Sequence, residues 1–246
     1  AGSLAPYKVR APAGTILNAP YPAAVCSRHV IGQMLPDTVF GCLAQAVPER
    51  IPAEGAGCLW NLTFRGDTDR GSNDASIFCI TAVTNGGTGA RPTKDGLSTA
   101  FPSGVRGTPV EINETVAPIV VWRKEYRTDS GGVGAYRGGL GQVIEVETAI
   151  GADLELLAAF DRINHPPRGR ACGGDGEAGS VKLGSGAPLR GKGTQIVRAG
   201  ERLIIHTPGG AGYGDAGARA PEAILSDMEN GLVSNTRARI DYGINY

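Results

Sequence analysis

The spacing of apolar and polar positions changes twice along this chain, and the changes mark out its parts. Residues 1–22 follow no period and are interrupted by Pro6, Pro12, Pro20 and Pro22, so they read as extended. Helical spacing follows. The stretches AAVCSRHVIGQ and PDTVFGCLAQAV predict two helices, within residues 23–47, joined at Pro36, a residue suited to a first turn. Val39, Phe40, Leu43 and Val47 are expected to face a core, with Pro48 as the stop. From Cys58 the period becomes that of strands: CLWNLTF and SIFCITAV are apolar, β-branched runs parted by the polar loop RGDTDRGSND. Residues 85–109 have almost no period, and loops of that length are functional or disordered.

Beyond Pro109 the pattern is mostly strand: PVEINETVAPIVVWRKEYR, GQVIEVETAI, DLELLAAFD, SVKLGSG, TQIVRAG and ERLIIHT. A last helix runs from Pro221 to near Gly231. Short strands with Gly-rich turns between them predict a sandwich or barrel. The expected fold class is therefore α+β and β-dominated: helices near residues 23–47, a sandwich-like β region and a C-terminal helix. A composition shift divides it into a helix-plus-sheet segment, 1–108, and a sandwich-like segment, 109–246. The opening AGSLAPYKVRAPAGTILNAPYPAAV has no initiator methionine, and the whole is expected to be a fragment of a larger polypeptide.

Composition narrows the function classes. With 24 basic and 24 acidic residues the net charge is zero, which argues against nucleic-acid and membrane partners. Five scattered cysteines without a C-x-x-C pair favour a reducing, cytoplasmic setting. Cys42 in VFGCLA and Cys79 in SIFCIT are expected to pack as small hydrophobes. Glycine is the outlier, with 38 residues, roughly twice its usual share of about 7%.

Those glycines invite phosphate-loop readings, which fail on context. In DSGGVGAYRGGLG, residues 129–141, the third glycine comes one place late for G-x-G-x-x-G, and a strand pattern follows it. Two turns flanking a strand are expected: Asp129 and Ser130 open one, Gly134 to Arg137 enter the strand, and Gly138-Gly139 turn or bulge it. GAPLRGKGT has Gly191-Lys192 at phosphate-loop spacing, but Gly193 replaces the Ser/Thr that would hold magnesium, so it reads as a hairpin turn. HTPGGAGYGD, residues 206–215, reads as either an anion-binding nest or a tight exit from the last strand.

Other chemistry is sparse. His29, His165 and His206 are far apart and form no metal-ligand spacing, so no metal is expected in this chain. His29 beside Arg28 on a helix is a candidate contact for a substrate or anion. Glu111 and Glu114, read as strand residues three apart, fall on opposite faces. There is no G-x-S-x-G elbow.

The ordered set NGGTGARPTKDG, TPVEINETVAP, DSGGVGAYRGGLGQ, HTPGGAGYGD and NGLVSNTRARIDYGI resembles the C-terminal part of the hydantoinase B/5-oxoprolinase family, over nearly the whole chain. The resemblance implies an ATP-dependent hydrolase of cyclic amides. A hydantoinase A-type partner binds ATP and phosphorylates an amide oxygen, and water then opens the ring at the B component. It also implies a divalent metal in the family's N-terminal half, whose Asn-Asp-Pro and His/Asp motifs have no match here. The isolated chain is accordingly expected to be inactive, with no cofactor of its own. The matched motifs nominate Asn85, Arg91, Asp95, Glu111 and Glu114 as catalytic candidates, without assigning roles. The alternatives are a carboxylase subunit of the acetone/acetophenone type and a non-catalytic segment supporting the metal-bearing half.

Overall fold

The structure, a computed structural model, describes residues 8–25, 28–57, 59–68, 76–100 and 107–244. Cys26, Cys58, most of the loop RGDTDRGSND and residues 101–106 of the long loop lie outside these. Two four-stranded antiparallel sheets share one core. The first has the order β2-β1-β5-β7, from Leu59–Asp67 (β1), Ile77–Asn85 (β2), Leu154–Ala159 (β5) and Lys192–Val197 (β7). The second has the order β3-β4-β8-β6, from Ile119–Tyr126 (β3), Gln142–Thr148 (β4), Ser180–Leu183 (β6) and Leu203–His206 (β8).

Alternation fixes which face of each strand enters the core. Trp60, Leu62 and Phe64 of β1 and Leu154, Leu156 and Ala158 of β5 point inward, meeting Ile144, Val146, Leu203 and Ile205 of the other sheet. Trp60 stacks on Phe160 with ring centroids 4.5 Å apart. The expected β-dominated α+β sandwich is what forms. β1 pairs with β5, so the first sheet draws strands from both sides of residue 109.

Three elements depart from expectation. One helix, Arg28–Leu43 (α1), replaces the expected pair and runs through Pro36. The half-buried positions Val30, Gln33, Met34, Asp37, Phe40 and Gly41 form one stripe across that proline, which is itself exposed, at the edge of a cavity. Packing of the stripe outweighs the roughly 3 kcal/mol that an internal proline costs. Val39 and Leu43 point outward, and Val47 lies beyond the helix end. PVEINETV is not a strand: Val110–Val116 forms a helix (α2). Glu111 and Glu114 are thus near neighbours on a helical surface, both exposed, and Val121 N–H donates to Glu114 Oε1 (2.7 Å). Pro118 forces the extended backbone of Ala117 that ends the helix. After the expected helix, Pro221–Glu229 (α3), a further one, Asn235–Tyr242 (α4), is capped by Ser234, which accepts from Arg237 N–H, and closed by left-handed Gly243.

Cys42 and Cys79 are exposed instead of packed; on β2 it is Phe78 that takes the inward position. No described helix is long and apolar enough to cross a membrane.

Apart from a few tight turns the glycine segments run extended, and none forms a nest. Five stretches, near residues 51–57, 85–97, 129–141, 166–177 and 207–214, mostly extended but broken by tight turns at 91–94 and 171–172, lie side by side as a bundle, with residues 209–213 enclosed by the other four. Gly209 and Gly212 donate to the carbonyls of Glu177 and Gly174, Gly210 and Tyr213 to those of Gly139 and Tyr136, and Ala211 to that of Glu54. The direction repeats every third residue, as in a threefold extended helix with neighbours on all sides. Every amide of HTPGGAGYGD from Gly209 to Gly214 is consumed by a carbonyl, so none is left to cradle an anion. Of the expectations for DSGGVGAYRGGLG, only the turn at Asp129 and Ser130 forms: Asp129 is left-handed and Ser130 N–H bonds Arg127 O. The stretch after it runs extended through the bundle.

Candidate functional site

Helix α1 lies across one side of this bundle, and between them is a cavity of about 370 Å³. Its walls are mostly apolar or bare backbone, from Pro36, Phe40, Pro52 and the glycines of residues 86–89. Gln33, Asp37, Thr88 and Arg91 supply the polar side chains. Bare glycine backbone on one wall and apolar helix on the other suit a small, flat, largely apolar molecule with a few polar atoms.

Asp37 is held from below. Arg162 spans two carboxylates, NH2 to Asp37 Oδ2 (2.9 Å) and NH1 to Glu54 Oε2 (3.0 Å). Arg168 adds a forked contact to Glu54 Oε1, Nε at 2.9 Å and NH2 at 2.6 Å. Arg162 takes a left-handed backbone (φ 59°), a conformation that persists only where surroundings over-determine it. Burial raises the Asp37 carboxyl above its ordinary range despite Arg162. Burial works in the same direction on Glu54, but the Arg168 hydrogen bonds and Arg162 outweigh it and hold that carboxyl low. Sequence reading missed this cluster, because its partners lie more than a hundred residues apart in the chain.

Of the sequence candidates, Arg91 alone lines the cavity. It is exposed, and its NH2 donates to the Asp95 carbonyl (2.9 Å). Asp95 faces away into an ionic quartet. Arg219 grips it with NH1 to Oδ1 and NH2 to Oδ2, both 2.8 Å, and Arg137 N–H donates to Oδ1 (2.7 Å). Arg219 and Arg137 also bind buried Asp227 of α3, at 2.6 and 3.1 Å. Burial opposes ionisation of Asp95, yet Arg219 holds its carboxyl below the ordinary value. Asn85 is buried at the end of β2, where its carbonyl accepts from Thr207 Oγ1 (3.1 Å). Glu111 and Glu114 sit on α2, which packs against β2 and β3 and not in the cavity wall. His29 Nε2 is 3.0 Å from Asn61 Nδ2, and Arg28 is exposed in the first turn of α1; neither lines the cavity.

Among the described residues no three His, Cys, Asp or Glu side chains gather as a metal set requires, and no step is assigned to a metal here. GAPLRGKGT is not the expected hairpin turn: it follows the tight turn after β6 of the second sheet and runs into β7 of the first. Its Lys192 pairs with Asp161 at 2.8 Å. His206 bonds Ser180 through Nδ1 (3.1 Å), and burial, with Arg127, Lys182 and Arg123 nearby, pushes its pKa down to about 4 from an ordinary 6.5. Between those values the unfolded chain takes up a proton that the native chain refuses, so this group lowers stability as pH falls from 6.5 to 4. His206→Gln is expected to flatten the fall of the urea midpoint across that window; an unchanged slope counts against the assignment.

Residues 1–216 match the family Hydantoinase B/oxoprolinase, and the chain belongs to it. A putative D-/L-hydantoinase polypeptide of the B type, from Pseudomonas sp. (strain NS671), is 30% identical, over 99% of this chain and 41% of that protein. The ATP-dependent caprolactamase from Pseudomonas jessenii superposes with a TM-score of 0.80 at 29% identity, over 97% of this chain and 43% of its own. A nucleotide-free acetone carboxylase shares the fold, at TM-score 0.67 and 22% identity, over 96% of this chain and 37% of its own. The chain thus spans about two fifths of the length of these relatives.

Proposed function

We propose that this chain is the C-terminal portion of the B component of an ATP-dependent cyclic amide hydrolase, opening a lactam or hydantoin ring. The observation that carries this reading is the superposition on ATP-dependent caprolactamase through 97% of the chain. An amide carbonyl is a poor electrophile, because its oxygen and nitrogen are both poor leaving groups. ATP, bound at a hydantoinase A-type partner, supplies a phosphoryl group to the amide oxygen. Water adds to the activated carbon, the C–N bond breaks with the ring nitrogen taking up a proton, and the ring opens to an acyl phosphate. A second water then attacks that carbon, and phosphate leaves with the original amide oxygen to give the carboxylate. This chain contributes a wall of the site: Phe40 and Pro36 hold the apolar ring, and Arg91 meets the negative charge carried by the activated substrate. The metal belongs to the part of the family outside this chain, and the 246 residues alone are inactive.

The complete enzyme, purified with its partner, is expected to open 5-oxoproline, a hydantoin or caprolactam with ATP consumed in step. Bicarbonate-dependent carboxylation, or ring opening without ATP, overturns the reading. Within that enzyme Arg91→Ala is expected to lower kcat/KM roughly tenfold to a hundredfold, the effect of losing one charge-assisted hydrogen bond of about 1.5–3 kcal/mol. Its melting temperature should be unchanged. A loss of folding in place of activity returns Arg91 to a purely structural role.

A further inference from the structure

Residues 8–25 form an arm whose hydrogen bonds close on itself. Gly14 N–H donates to Asn18 O (2.9 Å), Asn18 N–H to Thr15 O (2.9 Å) and Asn18 Nδ2 to Ala11 O (2.7 Å). Among the described residues no hydrogen bond ties it to the sandwich or the bundle. Its apolar side chains stand in solvent: Tyr21 is 98% exposed, Val9 90%, Ile16 76% and Val25 72%. Leu35, Val39 and Leu43 extend the exposed apolar surface along the outer side of α1. Isolated exposed apolar residues are ordinary, but so many on one arm and the adjoining helix mark an interaction surface. Its charge is one-sided. Residues 8–36 hold Lys8, Arg10 and Arg28 and no acidic residue.

The occupant is inferred from the lengths matched in the caprolactamase superposition. It covers 97% of this chain, so most of the arm and α1 recur in that structure, while more than half of that longer chain lies outside the match. A self-contained arm keeps its path between distant relatives when a second body defines that path.

We propose that the arm and the outer side of α1 form the docking surface for the remaining body of the hydantoinase B-type polypeptide, through an apolar face rimmed by acidic groups. That body is either continuous with this chain or supplied as a separate polypeptide. The proposal rests on family membership and not on the reaction, so it stands or falls separately from the assigned activity.

The test is a p-benzoylphenylalanine photocrosslinker at Tyr21 in the assembled enzyme, mapped by peptide mass spectrometry. Tyr21 is too exposed for its replacement to affect folding. Crosslinks to residues of the B-type polypeptide outside these 246 are expected. Crosslinks only to a second copy of this arm, crosslinks only to the ATP-binding partner, or none at all, each overturn the proposal. Reversing Lys8→Glu and Arg10→Glu together is expected to speed amide hydrogen exchange in the arm at least about tenfold in the assembled enzyme, through lost charge complementarity. Unchanged exchange overturns the acidic rim.

Discussion

Alanine at Gly210 is expected to prevent this chain from folding, or to destabilise it by more than about 4 kcal/mol, far beyond an ordinary small-to-large change. A Cβ there would lie 1.9 Å from the Thr88 carbonyl oxygen and 2.8 Å from Gly89 N. Both are backbone atoms inside a hydrogen-bonded bundle, so no rotamer change relieves the overlap. The backbone at Gly210 is not left-handed, which means that space, and not conformational freedom, requires the glycine. Gly138 reports the same fact from the facing segment, since its added Cβ would meet Gly210 O at 1.9 Å. The control is Gly32→Ala on α1, where nothing lies within 4 Å; alanine there is expected to be neutral or to stabilise by up to about 1 kcal/mol. Urea midpoints of the soluble variants, and the soluble fraction of Gly210→Ala, measure the contrast. A Gly210→Ala protein with the parental midpoint refutes the close-packed bundle.

The two kinds of extended backbone in this molecule explain what sequence reading found. In β1 the alternation of Trp60, Leu62 and Phe64 with Asn61, Thr63 and Arg65 states which face is buried, so strand, face and sandwich are all legible. In the bundle, information lies in backbone hydrogen bonds between segments distant in sequence, such as Gly210 to Gly139. Glycine has no side chain to carry a period, so density alone suggested turns. α2 misled for a related reason. Val110, Ile112 and Val116 are β-branched, but only seven residues fit between Pro109 and Ala117, and the local helix satisfies their backbone groups. At α4 a readable signal was present, Ser234 before the helix and Gly243 after it. The candidate site was legible only in Arg91. Asp37, Glu54, Arg162 and Arg168 come together through α1, the bundle and a loop 125 residues from Asp37, and no local spacing records that.

The quartet behind Arg91 sets the second large effect. Asp227→Ala leaves Arg137 and Arg219, both nearly fully buried, with only the carboxylate of Asp95 between them. Leaving buried charge uncompensated costs about 3–5 kcal/mol, and that loss is expected in the urea midpoint. Asp95→Ala should cost less, about 1–3 kcal/mol, because its side chain is 35% exposed and Arg219 keeps Asp227. The order therefore tests the geometry: a larger loss at Asp95 than at Asp227 contradicts it. Adding Arg137→Met to Asp227→Ala removes one stranded guanidinium and should recover part of the loss, giving a coupling that a pair of independent sites would not show. Acid has a milder version of the same effect. The Asp95 carboxyl is held low in the native chain, so its contribution is present above its ordinary pKa near 3.8 and is lost as pH falls through the lower native value. Because Arg91 is anchored on the Asp95 carbonyl, loosening the quartet should also lower the activity of the assembled enzyme. An Asp227→Ala enzyme that keeps full activity while losing stability would separate the cavity wall from the quartet and leave Arg91 positioned by its own loop.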